Sequence, residues 1–280
     1  MITPYSEFLE TFLKNGCYRT PERRLRSTPV KPGAWVSFRY FCCIIRMVSS
    51  CSAKHVFRLF DHDVWAKATW RSLSVPESLG TPVSVEGFEK RIANPGPAVY
   101  VCNHMSTLET MALPPILNPF GNISIILKKS LSEMPFVGAA IRRVGAIAVT
   151  RTNPREDLKI VLDEGLKRLE SGMSVLIFPQ GTRSDVFKTR KFSSLGAKLA
   201  EKANVPLIPI ACSTNFLGRG KPGLLQDFGA VDTSCKLRFS CGDILSPSLG
   251  ARQLNESSIA FIAGKLKEWG LPVEDGGGEK

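Results

Sequence analysis

One histidine in the sequence stands at a spacing that suits acid–base chemistry. His104 lies in the stretch VCNHMSTLET (residues 101–110), five positions before the carboxylate of Glu109. A neutral imidazole can accept a proton from an alcohol, and a carboxylate beside its other nitrogen fixes the tautomer and stabilises the imidazolium. The remaining histidines, His55 and His62, lie in a basic, aromatic-rich leader without such a partner. Two alternatives stay open from these residues alone: a catalytic base oriented by Glu109, or a histidine that happens to lie near an acid.

Two arginines follow strand-like stretches further along the chain. Arg151 ends AIAVTR (146–151), and Arg183 lies in PQGTRS (179–184) behind the apolar run SVLIF. A guanidinium binds phosphate through two parallel hydrogen bonds, and Gly181 lets the backbone approach an anion closely. The pattern favours a site for a phosphorylated substrate, although Arg151 taken alone is also consistent with a solvated charge at a strand end.

Several other chemistries are disfavoured by missing patterns. The segment GTRSD is not a G-x-S-x-G nucleophile elbow, and neither a P-loop nor a G-x-G-x-x-G turn is present. Direct attack by a substrate hydroxyl, with no covalent enzyme intermediate, is therefore favoured. The eight cysteines form no C-x-x-C pair, so we predict no metal site, and we interpret the cysteines as reduced.

The elements that must position these residues alternate along the chain. Pro154 near the start and Gly172 after the end mark the clearest helix, and Pro114 and Pro115 are expected to end the helix that begins at residue 106. Such alternation predicts an α/β layered domain with a largely parallel or mixed central sheet flanked by helices, in which ligands collect at the carboxyl ends of strands. The predicted strands cover 83–86, 98–102, 123–127, 146–151, 174–179, 205–212 and 236–242. The clearest helix covers 154–172, and further helices are predicted over 134–145, 193–203 and 255–270.

The N-terminal part differs from the rest of the chain in its charge and in its pattern of apolar residues. Residues 1–60 hold ten Lys and Arg against three acids, and the net charge of the whole chain is +12. We therefore predict residues 1–75 to be a basic amphipathic helical segment for membrane association, ahead of an α/β domain at 76–280. The most apolar window, 34–48, is too short to span a bilayer and contains Arg39 and Arg46, which share one helical stripe. It either lies in the membrane interface or packs against the protein's own core. A second helix is predicted over 55–73.

The positive charge favours an anionic partner. An anionic membrane surface suits the mixture of basic and long apolar residues in the leader, and no nucleic-acid-binding motif accompanies the charge. We predict no nucleic-acid partner.

Four motifs in order resemble the glycerolipid acyltransferase family, which includes 1-acylglycerol-3-phosphate acyltransferase. The match covers residues 83 to 245. Lys128, followed by MPFVG at 134–138, also resembles the segment that the family places between its first two motifs. The four motifs are NHMSTLE (103–109) for N-H-x-S-x-x-D, GAIAVTR ending at Arg151, FPQGTRS (178–184) for F-P-E-G-T-R-S, and VPLIPI (205–210) for V-P-x-x-P-V.

The resemblance implies a reaction and a role for each motif residue. His104, oriented by Glu109, would deprotonate the hydroxyl of a lysophospholipid, which attacks the thioester of acyl-CoA or an acyl carrier protein. No cofactor beyond that donor is implied, and the enzyme is expected at the membrane, facing the cytoplasm. The acceptor would be held by Arg183, Arg151 and Lys128 with Gly181, Thr182 and Gln180, while Asn103, Ser106, Pro179, Pro206 and Pro209 would be structural.

Two positions depart from the family pattern. Glu109 replaces an Asp and is one methylene longer, and Gln180 replaces a Glu, so that a charge is lost while an acceptor remains. These changes leave two interpretations: an active but atypical branch, or a catalytically inactive or altered-specificity lipid-binding homologue. Retention of His104 and Arg183 favours the active branch.

Overall fold

The structure is a computed structural model that describes residues 2–24, 30–134, 137–218, 220 and 229–276. Residues 135 and 136 of the MPFVG segment lie outside the described residues. The α/β class predicted from the sequence is confirmed.

The N-terminal segment consists of helices and one short strand. These elements are α1 (Tyr5–Asn15), β1 (Tyr18–Arg19), α2 (Ala34–Val56), α3 (His62–Thr69) and α4 (Arg71–Ser78).

The following residues build the sheet and its flanking helices. The strands are β2 (Val83–Glu86), β3 (Val99–Cys102), β4 (Ile123–Lys128), β5 (Ile147–Val149), β6 (Ser174–Ile177), β7 (Phe187–Lys188), β8 (Leu207–Ser213), β9 (Leu237–Cys241) and β10 (Val273–Glu274). The helices are α5 (Glu89–Ala93), α6 (Leu108–Leu117), α7 (Lys129–Ser132), α8 (Val137–Arg143), α9 (Pro154–Glu170), α10 (Leu195–Ala203) and α11 (Gly250–Glu268).

Eight of these strands form one mixed sheet in the order β1-β2-β9-β8-β3-β6-β4-β5. Strands β8, β3, β6, β4 and β5 all run in the same direction, while β9 pairs antiparallel with β8. Parallel neighbours bring their carboxyl ends to one edge, so the loops after β3, β6, β4 and β5 emerge side by side.

The sheet is covered on both faces, as a largely parallel sheet requires. Strand β3 shows the period-2 alternation directly: Val99 and Val101 pack with α9, α10 and α11, while Tyr100 and Cys102 face the other side. That other side is covered by α1, α2, α4 and α6, and its core includes Phe8 of α1.

The N-terminal segment thus shares a core with the sheet. Strand β1 also pairs with β2 at the sheet edge. The boundary placed at residues 75 and 76 stays a prediction.

Helix α2 has two different faces. One face is buried in the protein's own core. For that face, the second of the two alternatives for residues 34–48 is correct. Within residues 34–48 the opposite face leaves three large apolar side chains in solvent, and only that face is available to contact a membrane. The buried residues are Val36, Tyr40, Ile44, Met47 and Cys51, and the exposed ones are Trp35 (68%), Phe38 (59%) and Ile45 (56%).

Two boundary predictions were wrong. Helix α6 continues past Pro114 and Pro115 to Leu117, because a proline removes one backbone donor while the tertiary contacts of this buried segment hold the helical path. The helix predicted over 55–73 is broken after α2: Arg58 has a positive φ of 58° and Asp61 caps the start of α3 by accepting from the Val64 N–H. Within the described residues, no helix has the length and apolar character needed to cross a membrane.

Candidate active site

His104 lies just past the carboxyl end of β3 and is almost fully buried. Its ring stacks on Phe178, with centroids 4.4 Å apart. Its backbone is held from both sides by the loop after β6: the His104 N–H donates to Gln180 Oε1 at 2.7 Å, and the His104 carbonyl accepts from the Ser184 N–H at 2.9 Å. The imidazole is therefore fixed by an element 70 to 80 residues away in sequence.

Glu109, in the first turn of α6, lies beside that imidazole. Its carboxylate is fully buried, and Oε2 is 3.7 Å from His104 Nδ1. Nδ1 is itself buried and has no hydrogen-bond partner. An N–H···O bond spans about 2.7–3.2 Å, so the pair lies slightly outside bonding distance, as catalytic hydrogen bonds often do before substrate binds.

Five donors hold the Glu109 carboxylate in place, of which Cys212 Sγ is the most distant at 3.8 Å. It accepts from the backbone N–H of Met105 at 2.7 Å, from that of Ser106 at 2.9 Å and from Thr214 Oγ1 at 2.6 Å. Ser106 Oγ is a fourth donor, longer at 3.3 Å, and also accepts from the Leu108 N–H at the start of α6. Glu109 is therefore fixed in orientation independently of His104.

These contacts decide the charge of Glu109. Burial disfavours the carboxylate and by itself raises the pKa of Glu109, but the contacts from His104, Thr214 and the Ser106 N–H more than offset it. The pKa of Glu109 is consequently held below its ordinary value, and the group is an anion at neutral pH.

The end of β8 supports the same loop. Asn103 Nδ2 donates to the Cys212 carbonyl at 2.9 Å, and the Cys212 N–H donates to Asn103 Oδ1 at 2.8 Å. This pair joins the His104 loop to the strand that precedes Thr214.

Pro206 and Pro209 of the fourth motif, predicted to be structural, belong to strand β8 and the residue before it and not to a loop of the site. Pro206 precedes β8, at the amino end of a strand whose carboxyl end carries the site, and Pro209 lies within β8 opposite Val101. Pro179, in contrast, is in the site loop, where its carbonyl accepts from the Ser193 N–H.

The predicted phosphate-binding arginines come close together. Arg183 donates to Thr107 Oγ1 at 2.6 Å, which places its guanidinium at the start of α6 beside the His104 loop. Lost hydration and the nearby Arg183 charge lower the pKa of Arg151, while the Asp157 carboxylate opposes them. Two guanidiniums that repel one another at a sheet edge form a natural site for an anion.

The backbone of Arg151 is held in an unusual conformation by local hydrogen bonds. Its φ is +63°, a left-handed conformation that non-glycine residues adopt only when the surroundings enforce it. The Asp157 carboxylate holds Arg151 in this conformation, because it accepts hydrogen bonds from the backbone N–H groups of Thr150 at 2.8 Å and Arg151 at 2.7 Å. Asp157 was not among the residues predicted for the site.

The other residues predicted to bind the acceptor lie on exposed parts of the same sheet edge. Gly181, with φ of +70°, and Thr182 are exposed in the loop between Gln180 and Arg183. Lys128 ends β4 at the same sheet edge and is exposed, and within the described residues it forms no ion pair.

A cavity of about 320 Å³ opens next to the site. Arg151, Gly181 and Lys198 lie at its polar side, and Phe178 is common to the cavity and to the ring that stacks on His104. The remaining lining is largely apolar, and includes Ile126, Val149, Leu158, Val161, Ile177 and Leu195.

Gln180 is a positioning residue in this geometry, because its oxygen is used by the His104 N–H. We expect Gln180→Glu, which keeps an acceptor, to retain kcat within about threefold, and Gln180→Leu to lower stability by about 1–3 kcal/mol and kcat by roughly tenfold. Urea unfolding and steady-state kinetics would measure both. A change of preferred acceptor in Gln180→Glu would instead show that this side chain contacts the head group.

Several residues of the site were missed in the sequence. Phe178 and Thr107 lie inside the quoted motifs but were given no role there, and Thr214, beyond the last motif, carries no signal of its own. The contact between Ser106 and Glu109 was detectable, since the two residues have the S-x-x-E spacing of a capping box.

Comparisons with known proteins show what this part of the chain is similar to. Residues 83–213 match the family model described as Acyltransferase. A 1-acyl-sn-glycerol-3-phosphate acyltransferase of Pseudomonas aeruginosa is 40% identical over 115 residues, which are 41% of this chain and 44% of that protein. A chloroplastic 1-acyl-sn-glycerol-3-phosphate acyltransferase of Arabidopsis thaliana is 31% identical over 152 residues, 54% of this chain and 40% of that protein. The chain thus spans less than half of the length of these two relatives.

A solved structure shares the fold. The crystal structure of the 1-acyl-sn-glycerophosphate (LPA) acyltransferase PlsC from Thermotoga maritima superposes with a TM-score of 0.63 at 19% identity, over 84% of this chain and 95% of that one. The family match covers the strands that carry His104, Arg151 and Arg183. Residues 83–213 of this chain are therefore similar to the acyltransferase family.

Proposed function

We propose that this protein is an O-acyltransferase of phospholipid biosynthesis. It moves a fatty acyl group from acyl-CoA or an acyl carrier protein to the hydroxyl of a lysophospholipid, with 1-acylglycerol-3-phosphate as the favoured acceptor. The observation that carries the proposal is the buried His104 imidazole, stacked on Phe178 and facing the fixed Glu109 carboxylate, at the sheet edge where Arg151 and Arg183 converge. The names of the two relatives support this choice of acceptor.

In the proposed reaction His104 is the general base. The Glu109 anion favours the tautomer with the proton on Nδ1, so that Nε2 is free to accept a proton from the acceptor hydroxyl. The oxygen attacks the thioester carbonyl, and the tetrahedral intermediate collapses as the carbon–sulfur bond breaks. The imidazolium then protonates the departing thiolate, which returns His104 to its neutral form. The acyl donor needs no further cofactor in this scheme.

Arg183 and Arg151 bind the acceptor phosphate in this proposal. We expect Arg183→Ala to raise KM for a phosphate-bearing acceptor by about 10- to 100-fold, since charged hydrogen bonds are each worth roughly 1.5–3 kcal/mol. KM for the acyl thioester should change by less than about threefold. Arg183→Lys should give an intermediate KM for the acceptor, because lysine keeps the positive charge but cannot form the two parallel hydrogen bonds of a guanidinium. Equal increases in both KM values would contradict the assignment.

The exposed face of α2 supports association with an anionic membrane surface. Trp35, Phe38 and Ile45 present apolar side chains there, beside the exposed Arg39 and Arg46. Aromatic and apolar groups between basic residues suit a helix lying in the headgroup region. We propose peripheral or monotopic attachment on a cytoplasmic face.

The function is tested by purified protein supplied with an acyl thioester and a panel of lysolipids, with products identified by mass spectrometry. The proposal expects transfer to lysophosphatidate and weaker transfer to lysolipids without an exposed phosphate monoester. Absence of transfer to every member of the panel would reject it.

A second candidate is a lipid-binding homologue without catalysis or with altered specificity. The observation in its favour is the 3.7 Å gap between His104 Nδ1 and Glu109 Oε2, which leaves Nδ1 buried without a hydrogen bond. The form without catalysis expects binding to anionic vesicles with no acyl transfer, and robust transfer would reject it, whereas the form with altered specificity expects transfer only to acceptors other than lysophosphatidate.

A further inference from the structure

A groove of about 680 Å³ lies outside the acyl-transfer site, among α1, α2, α3 and α4. None of the residues that carry the proposed chemistry lines it. The lining residues that matter here are Ile2, Leu9, Met47 and Trp70, which are apolar, together with Arg46, Lys54, Lys67 and Arg71, which are basic, and Ser74.

The charge of this groove is one-sided. Four basic side chains line it and no acidic one does, and within the described residues none of the four forms an ion pair. Two acids on nearby segments are engaged elsewhere: Glu7 pairs with Arg23 and Arg24, and Glu77 accepts from Thr3 and Tyr18. Four like charges around one groove repel each other, and an anion bound among them removes that repulsion.

The groove also contains a buried hydroxyl group that has no hydrogen-bond partner. Ser74 is fully buried, and its Oγ has no hydrogen-bond partner. A buried hydroxyl left unbonded costs about 1–3 kcal/mol, so a ligand oxygen that accepts from Ser74 recovers that energy. The hydroxyl is an observation independent of the charges.

The wall of the groove is apolar. Met47 and Trp70 are buried in the core beneath it, and the Trp70 indole N–H is already used by the Thr3 carbonyl at 2.7 Å. The ring therefore offers only apolar surface to a ligand. Ile2 is half-exposed at the same groove and extends that surface to the outside.

From the four cations, the unbonded Ser74 hydroxyl and the apolar wall we propose that this groove binds one anionic phospholipid molecule, separately from the acyl-transfer site. The phosphate lies among Arg46, Lys54, Lys67 and Arg71, and the first part of an acyl chain lies against Ile2, Met47 and Trp70. Free phosphate would leave the apolar wall and most of the volume unused. The site binds its lipid intact and takes no part in the reaction.

The test is titration calorimetry of the full chain with dihexanoyl phosphatidylglycerol, kept below its micelle concentration. Lys67→Gln with Arg71→Gln should weaken binding about tenfold or more, since each lost charged contact is worth roughly 1.5–3 kcal/mol. Both side chains are exposed, so the fold should be unaffected. A matched double variant, Lys14→Gln with Lys236→Gln, removes two exposed charges elsewhere and should bind like wild type.

Three further arms separate the alternatives. Arg183→Ala should bind the lipid like wild type, which locates binding outside the acyl-transfer site. Dihexanoyl phosphatidylcholine, with no net charge, and inorganic phosphate, with no apolar part, should each bind about tenfold more weakly. Equal weakening in both double variants, loss of binding in Arg183→Ala, or equally tight binding of phosphatidylcholine or of phosphate would overturn the proposal.

Discussion

Replacing His104 by alanine is expected to lower kcat for acyl transfer by about 10²–10⁴-fold, the usual contribution of a general base. The physical reason is that the acceptor hydroxyl then has no group to take its proton at the start of the attack. KM for both substrates should stay within about threefold, because phosphate binding is assigned to the arginines. Initial rates with a water-soluble, short-chain lysophosphatidate would measure the effect.

A second histidine provides the matched control for this change. His55 lies near the end of α2 at partial exposure and touches none of the site residues, so His55→Ala should keep kcat within about twofold. Circular dichroism of both variants would establish that the fold is kept. Turnover by His104→Ala at the wild-type rate would eliminate the base mechanism, whatever acceptor is used.

Glu109→Gln is expected to have the second largest effect. The amide has one acceptor oxygen where the carboxylate has two, so it cannot serve Met105, Ser106 and Thr214 and still face the imidazole with an acceptor. It also removes the charge that favours the productive His104 tautomer. We expect kcat to fall about 10²-fold or more, and the free energy of unfolding to fall by about 1–3 kcal/mol.

The same substitution changes the pH dependence of stability. The pKa of Glu109 in the folded protein lies below its ordinary value of 4.5, so its ionisation stabilises the fold above the unfolded pKa. That contribution is lost as the pH falls through the folded value. Urea unfolding of wild type should therefore lose stability between neutral pH and pH values below 4.5, and Glu109→Gln should lose less over the same interval.

Glu109→Asp is the conservative comparison. It keeps the charge and shortens the side chain by one methylene, so its kcat should exceed that of Glu109→Gln. If the two variants were equally impaired, side-chain length and not charge would be the property that matters. If Glu109→Gln kept both wild-type kcat and wild-type pH dependence, the carboxylate would have no role in either.

Much of the site could be predicted because its chemistry lies in short contiguous motifs. His104 and Glu109 are separated by a single loop and the first turn of a helix, and Arg183 follows a buried strand at a fixed distance. The alternation of apolar strands with amphipathic helices predicts a largely parallel sheet, and parallel strands place such loops at one edge. Local pattern therefore suffices to name these residues and to place them on the same side of the domain.

Other parts of the site depend on strand order, which local pattern does not encode. Strand β3 lies between β8 and β6. Because of that order Thr214, beyond β8, reaches the Glu109 carboxylate, and Gln180, beyond β6, reaches the His104 N–H. Both contacts join residues more than 70 positions apart in the chain, so the sequence shows no periodicity or spacing that relates them.

The N-terminal segment shows the same division between sequence and tertiary structure. The sequence by itself determined the α/β class and the basic charge of the leader, and it named the candidate base and arginines of the site. Only the tertiary structure decided that one face of α2 packs on the sheet while the other remains in solvent, that Gln180 holds the His104 backbone, and that four cations of the leader surround one groove. Helical period and charge specify which surfaces an element has, whereas the neighbours that cover those surfaces are chosen by the packing of the whole chain.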